Sequence, residues 1–331
     1  MVKKRGCPVI VEGGDEVNNV FDKHCVFITS TGRTGTRFLA KSLSKMVEDC
    51  YAVHEPANVF IKDLKKWGDD IKRFGFYQMT VGQFLPSKSM CKLSTYRRRG
   101  KINDEKTKEY IKGLRKQILE ETKESLYVES SNHLHGVIDL LGDVFPNGKV
   151  VFIIRDPRTW IRSAISSPVY LLYSKVDFSF LGMSMRAFHF KDDPYSMKWN
   201  SMSKFEKFAW YYNKLNTLVL ESMKNKKNFK LYRYEDLFTS EKKEENFIDL
   251  LEFSTKFDDG FSRKYTFEPS FLSKKINSAS DKYKIPHWKN WDKKRAHILQ
   301  KHCGELMDKF GYGKEPEWLE KLNSDYKEEY A

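Results

Sequence analysis

No stretch of 18 consecutive apolar residues occurs in the 331-residue chain, so no membrane-spanning helix is expected. The start, MVKKRGCPVIVEGGDEV, has basic residues but lacks the apolar segment of a secretory signal. These absences predict a cytoplasmic protein and leave open a lumenal domain cut from an anchored one. Cysteine is scarce. Cys7, Cys25, Cys50, Cys91 and Cys303 are odd in number, far apart and never in a CxxC pair, which excludes a disulfide framework and a zinc site. A reducing compartment is the expectation, with Cys25 and Cys303 in the core. No cluster of His, Cys and Asp has ligand spacing, so no metal is expected. Repeats, low-complexity tracts and interdomain linkers are also missing. The chain therefore reads as one domain over 1–331 with a core at about 24–313.

What is present begins with charge. Lys plus Arg exceed Asp plus Glu by 59 to 45, a net +14. That excess suits an anionic partner: nucleic acid, an anionic membrane surface or a phosphorylated small molecule. The alternative is a merely Lys-rich surface. The basic residues are spread out rather than gathered in a stripe with exposed aromatics, so nucleic acid is not expected.

Five apolar runs have strand character: 26–30, 51–55, 126–131, 149–155 and 229–237. Several are continuous, as in a parallel sheet covered on both faces. Between them apolar residues recur at steps of three and four, in 205–223 and 296–310. Alternating strands and helices predict a three-layer α/β fold around a mainly parallel sheet. Residues 60–122, poor in strands, predict a helical insertion. Residues 167–203, aromatic and rich in Ser, predict a long ordered loop that serves as a lid or acceptor site.

The run at 26–30 leads into TGRTGTR and then a helical pattern. Strand, glycine loop and helix aim backbone amides and a helix N-terminus at an anion. Gly32 and Gly35 permit close backbone approach, Thr34 and Thr36 bring hydroxyls, and Arg33 and Arg37 bring charge. An ATP-type loop requires GxxxxGK[ST], and here Gly35 is followed by Thr36 and Arg37. Phosphate binding is expected; magnesium-dependent nucleotide hydrolysis is disfavoured. A second anion anchor is KVVFIIRDPRTWIRSAISS, a buried strand ending in Arg155 with Ser163 on the following helix. Its plainer reading is a helix capped by Asp156.

Together these motifs resemble the sulfotransferase family. The loop is similar to that family's 5′-phosphosulfate loop. RDPR, with Ser163 eight positions after Arg155, is similar to its 3′-phosphate motif. LYRYEDL (231–237), and KYKIPHWKNW with the helix ending in Gly-Tyr-Gly, extend the likeness over about 26–313. The resemblance implies a P-loop NTPase-like fold and a metal-free donor, 3′-phosphoadenosine 5′-phosphosulfate (PAPS), with the bisphosphate PAP as product. It implies that Arg33, Thr34, Gly35, Thr36 and Arg37 hold the donor's 5′ end and that Phe38 stacks on adenine. Arg155, Ser163 and Lys282 would grip the 3′-phosphate, with Tyr234 also at the donor site.

Sulfuryl transfer to a hydroxyl requires a base. Glu55, in VHEP and 22 positions after Arg33, matches the base of sugar-modifying sulfotransferases. His133, 22 positions before Arg155, matches that of the small-molecule branch. His54 and His135 are weaker candidates. Many family members carry a Lys on the third strand, and here that strand reads Glu129-Ser130-Ser131, which leaves Arg33 or Arg37 to face the sulfonate. The acceptor expected is a carbohydrate or glycolipid hydroxyl. The alternatives are a small alcohol or phenol, or a P-loop kinase reaction. KLSTYRRRGK (92–101) is either a contact for an anionic acceptor or a solvated charged face.

Overall fold

Five strands make one sheet: β1 (His24–Ser30), β2 (Cys50–His54), β3 (Leu126–Ser130), β4 (Gly148–Ile154) and β5 (Phe229–Arg233). Their order is β2-β3-β1-β4-β5, and every pairing is parallel. The computed structural model describes residues 19–58, 64–167, 185–273 and 283–323.

Alternation of side chains divides each central strand between two cores. Cys25, Phe27, Tyr127, Phe152 and Ile154 enter the core on one face, with Cys303. Val26, Ile28, Val128, Val151 and Ile153 enter the core on the other. Both faces are covered by helices, as the continuous apolar runs require. This is the expected three-layer, P-loop-like α/β arrangement. Cys25 and Cys303 are fully buried, as expected of core thiols.

The main helices are α1 (Thr36–Met46), α2 (Leu64–Phe74), α3 (Met90–Arg98), α4 (Asp104–Glu121), α5 (Pro157–Ser166), α6 (Lys204–Ser222), α7 (Lys243–Thr255), α8 (Lys293–Lys309) and α9 (Pro316–Leu322). Of 60–122, expected to be a helical insertion, the described part holds α2, α3 and α4 with turns between them. Of 167–203, residues 168–184 lie outside the described residues. The remainder has the short helix Ala187–His189 and turns, with Trp199 and Met202 packed on Trp210.

One expected strand is corrected. The run 229–237 is extended only to Arg233, and Tyr234–Phe238 is a short helix. Tyr234, Leu237 and Phe238, at steps of three and four, all pack into the core that holds Val26. In so short a segment that spacing is hidden among the apolar residues of the strand before it.

The helical insertion is fastened to the sheet by a buried ion pair. Arg115 of α4 donates from Nε and Nη2 to the two Glu129 oxygens of β3, at 2.5 and 2.6 Å. Tyr127 Oη donates to the same carboxylate at 3.1 Å. Both charged residues are sealed from solvent. Removing one partner of such a pair leaves an uncompensated buried charge. Arg115→Met should therefore lower unfolding stability by about 3–5 kcal/mol, read from the urea midpoint; a loss under 1 kcal/mol would contradict this role.

Candidate functional site

Because the strands are parallel, their carboxyl ends share one edge, and the predicted site residues follow those ends. The loop 31–35 leaves β1, Glu55 leaves β2, Ser131–His133 leave β3, Arg155 leaves β4 and Tyr234 leaves β5. The order places β1 between β3 and β4, so connections diverge to either side of it, the usual crevice of such sheets.

The β1 loop is tied down from within. Ser30 Oγ accepts from the Gly32 amide at 3.0 Å and from Thr34 Oγ1 at 2.6 Å. Trp160 of α5 donates to the Gly32 carbonyl at 2.9 Å. Thr34 is buried, so its hydroxyl serves the loop's own shape. Gly32 and Gly35 both have φ of 82°, and Arg33 has φ of 59°, left-handed backbone that strains a non-glycine residue. Gly35 is the N-cap of α1 and offers no side chain to the first-turn amides, where Thr36 and Arg37 begin the helix. In contrast, Asp156 caps α5 by accepting from the Arg158 amide.

Arg33, Arg155 and Ser163 meet. Arg33 Nε donates to Ser163 Oγ at 3.0 Å, and Arg155 Nη1 donates to the Arg33 carbonyl at 2.6 Å. Arg155 Nε donates to Thr159 Oγ1 at 3.0 Å, and its guanidinium lies 4.3 Å from the Tyr234 ring centre. Arg33, expected at the donor's 5′ end, thus stands with Arg155 and Ser163, the residues expected at the 3′-phosphate. Phe38, expected to stack on adenine, is only 6% exposed, and its ring packs at steep angles against Phe238 and Phe247. Lys282 lies outside the described residues.

On the other side of β1, the two candidate bases are neighbours. His133 Nε2 is 3.8 Å from Glu55 Oε2, and His54 Nε2 is 3.9 Å from it. Asn58, which the sequence reading missed, donates its amide to Glu55 Oε2 at 3.2 Å and lies 2.9 Å from His133 Nε2. Glu55, Asn58, Ser131 and His133 line a small pocket with Cys91 and Arg115. Glu55 has φ of 45° and Ala57 has φ of 56°, two strained positions flanking Pro56. Ser94 of α3 donates to the His133 carbonyl and accepts from the Gly136 amide at 2.9 Å, which fixes the turn carrying His133.

Burial opposes charge on both Glu55 and His133. For Glu55 it is outweighed by His133 and His54, with Asn58 adding a hydrogen bond, and its carboxyl is held below the usual carboxylate range. For His133 it is outweighed by Cys91 and Glu55, and the imidazole is pushed up to about 9. Both shifts run toward the charged forms, carboxylate and imidazolium. His135 is buried and pushed down to about 3, with Arg98 and His133 adding to the effect of burial. His54 is also lowered by burial, and its Nδ1 is 2.8 Å from the Ser130 carbonyl.

The basic run 92–101 matches neither expectation. Arg97 makes a two-pronged pair with Asp139 at 2.6 and 2.8 Å, and Arg98 donates to the His135 carbonyl at 2.8 Å. These arginines fasten α3 to the turn that bears His133. Among the described residues, no group of His, Cys, Asp and Glu is placed to hold a metal ion.

A family model described as "Sulfotransferase family" matches residues 25–248. The chain belongs to the sulfotransferase family. This sulfotransferase is matched by no curated protein. Among solved structures it is similar to sulfotransferase STF9 from Mycobacterium avium, at 13% identity and a TM-score of 0.46, over 88% of this chain and 78% of that one. It is also similar to the sulfotransferase domain from the curacin biosynthetic pathway, at 15% identity and a TM-score of 0.30, over 91% and 78%. Likeness at that level carries no argument of its own, and membership rests on the family model.

Because the folded His133 is raised from 6.5 to about 9, its contribution to this sulfotransferase's stability is complete below pH 6.5. It is lost as the pH rises through about 9. The rise corresponds to roughly 3 kcal/mol. The stability difference between wild type and His133→Asn should shrink by that order between pH 6 and 10 (about the span of the two pKa values). A pH-independent difference would contradict the ion pair.

Proposed function

We propose that this sulfotransferase moves a sulfuryl group from PAPS to a hydroxyl of a carbohydrate or glycolipid, with Glu55 as general base. The observation that carries the base assignment is the Glu55–Asn58–His133 cluster. The lowered Glu55 carboxyl is ionised and able to accept a proton, and His133 Nε2 stands 3.8 Å from it, where its charge favours the carboxylate. His133 and Asn58 orient that carboxylate. The carbohydrate class rests on the Val53-His54-Glu55-Pro56 layout and its likeness to sugar-modifying sulfotransferases.

The donor reading rests on residue chemistry that fits an adenosine bisphosphate. The α1 N-terminus, without a side-chain cap, and the left-handed loop before it suit the 5′ phosphosulfate. Arg33 and Arg155, with the Ser163 hydroxyl between elements, suit the 3′-phosphate. When bound, PAPS supplies the activated sulfuryl group. Arg37, in the first turn of α1, then stabilises negative charge developing on the leaving 5′-phosphate. Glu55 takes the hydroxyl proton as the acceptor oxygen attacks sulfur.

Glu55→Gln keeps shape and hydrogen bonding but removes basicity. Turnover should fall by about 10²–10⁴-fold, with PAP affinity unchanged, and His133→Asn should cost less. If Glu55→Gln stays active while His133→Asn is inactive with normal PAP binding, the base is His133. The acceptor then belongs among small alcohols or phenols.

A further inference from the structure

The helical insertion carries an inside-out segment beside the site. Nine large apolar side chains are exposed among the described residues, and five fall between positions 76 and 85: Phe76, Tyr77, Val81, Phe84 and Leu85. One of its three polar residues, Gln83, points inward instead. Gln83 is 6% exposed and donates to the Ala57 and Gln78 carbonyls at 3.1 and 2.8 Å, while Phe84 is 45% exposed and Phe76 68%. Met79 is buried and its carbonyl accepts from Trp67 of α2 at 3.4 Å. The segment is thus anchored by its inner face and presents rings and branched side chains outward. Concentrated exposed apolar surface marks a binding face.

Charge says what kind. Residues 64–88 contain five Lys and Arg, Lys65, Lys66, Lys72, Arg73 and Lys88, against two Asp, Asp69 and Asp70. Lys65, Lys72 and Lys88 are exposed, and Lys88 Cβ lies against Gly82 within the segment. Aromatic and branched side chains beside exposed lysines are the pattern of a surface that rests on anionic lipid headgroups. A second copy of the chain would bring this basic region against its own like charge. No described helix is long and apolar enough to cross a membrane, so the contact is with a surface. Gln83 joins the segment to Ala57, two residues beyond Glu55, which ties the segment to the loop that carries the proposed base.

We propose that residues 76–85 dock this sulfotransferase on an anionic membrane surface, where the acceptor hydroxyl is presented to Glu55. The purpose of docking rests on the sulfotransferase reading above; the docking itself does not. The test is cosedimentation of the full chain with phosphatidylcholine vesicles with and without phosphatidylserine, beside the Phe76→Ser/Phe84→Ser double variant. The wild type should bind the phosphatidylserine vesicles, release as salt is raised, and lose about tenfold or more of its partitioning in the variant. No binding at low salt, equal binding without phosphatidylserine, or equal binding by the variant overturns the proposal. So does a wild-type dimer that the double variant dissolves, which would assign the face to a second copy. PAP affinity of both proteins by calorimetry separates the outcomes: if PAP binds and vesicles do not, docking falls and the donor reading stands.

Discussion

Because all five strands run in one direction, each of their carboxyl ends opens on the same edge of the sheet. The site depends on that constraint more than on any single contact. Residues from 33 to 234 in sequence meet at one edge because four crossovers return the chain to it after β1 first reaches it. The central place of β1 then separates two kinds of chemistry. Toward β4 and β5 stand the guanidinium groups and the Ser163 hydroxyl; toward β2 and β3 stand Glu55, Asn58 and His133.

Buried charge holds the two halves in place. On one side, Arg115–Glu129 and Arg97–Asp139 fix the helical insertion and the turn bearing His133. On the other, Arg158 pairs with Asp156 and Glu315, and its guanidinium lies 4.3 Å from the Trp288 ring centre. Glu235 accepts from the Asp156 amide at 3.1 Å and from Tyr312 Oη at 2.8 Å. The C-terminal segment is therefore a clamp on the Arg155 turn. Its Trp-Lys-Asn and Gly-Tyr-Gly motifs act on the site through packing as well as through any contact with a ligand.

The strands and their ends were legible in the sequence because burial on both faces leaves continuous apolar runs, and because glycine and charge gather where those runs stop. Glu55, His133 and Arg155 are singled out by the likeness of VHEP, RDPR and the 22-residue spacings to sulfotransferase motifs, and they follow the ends of parallel strands. Their mutual contacts were not legible. Nothing in the sequence joins Glu55 to His133 across 78 positions, and Asn58 has no signature beyond standing three residues past Glu55. Phe38 stands where a stacking aromatic is expected, and the sequence alone does not show that it shares a core with Leu39 and Leu43. The run 92–101 misled for the opposite reason: a row of arginines reads as surface, and pairing with Asp139 and backbone carbonyls satisfies them where they stand.

The central claim is that the loop after β1 and the Arg33–Arg155–Ser163 cluster select an adenosine 3′,5′-bisphosphate over a magnesium nucleotide. Titration calorimetry of the full chain with PAP in EDTA, against ADP and ATP with magnesium, tests it directly. The account predicts that PAP binds without metal and at least about tenfold more tightly than ADP, since charge-assisted contacts to the 3′-phosphate contribute about 1.5–3 kcal/mol each. Tighter binding of ATP with magnesium, with PAP no better than ADP, would contradict it.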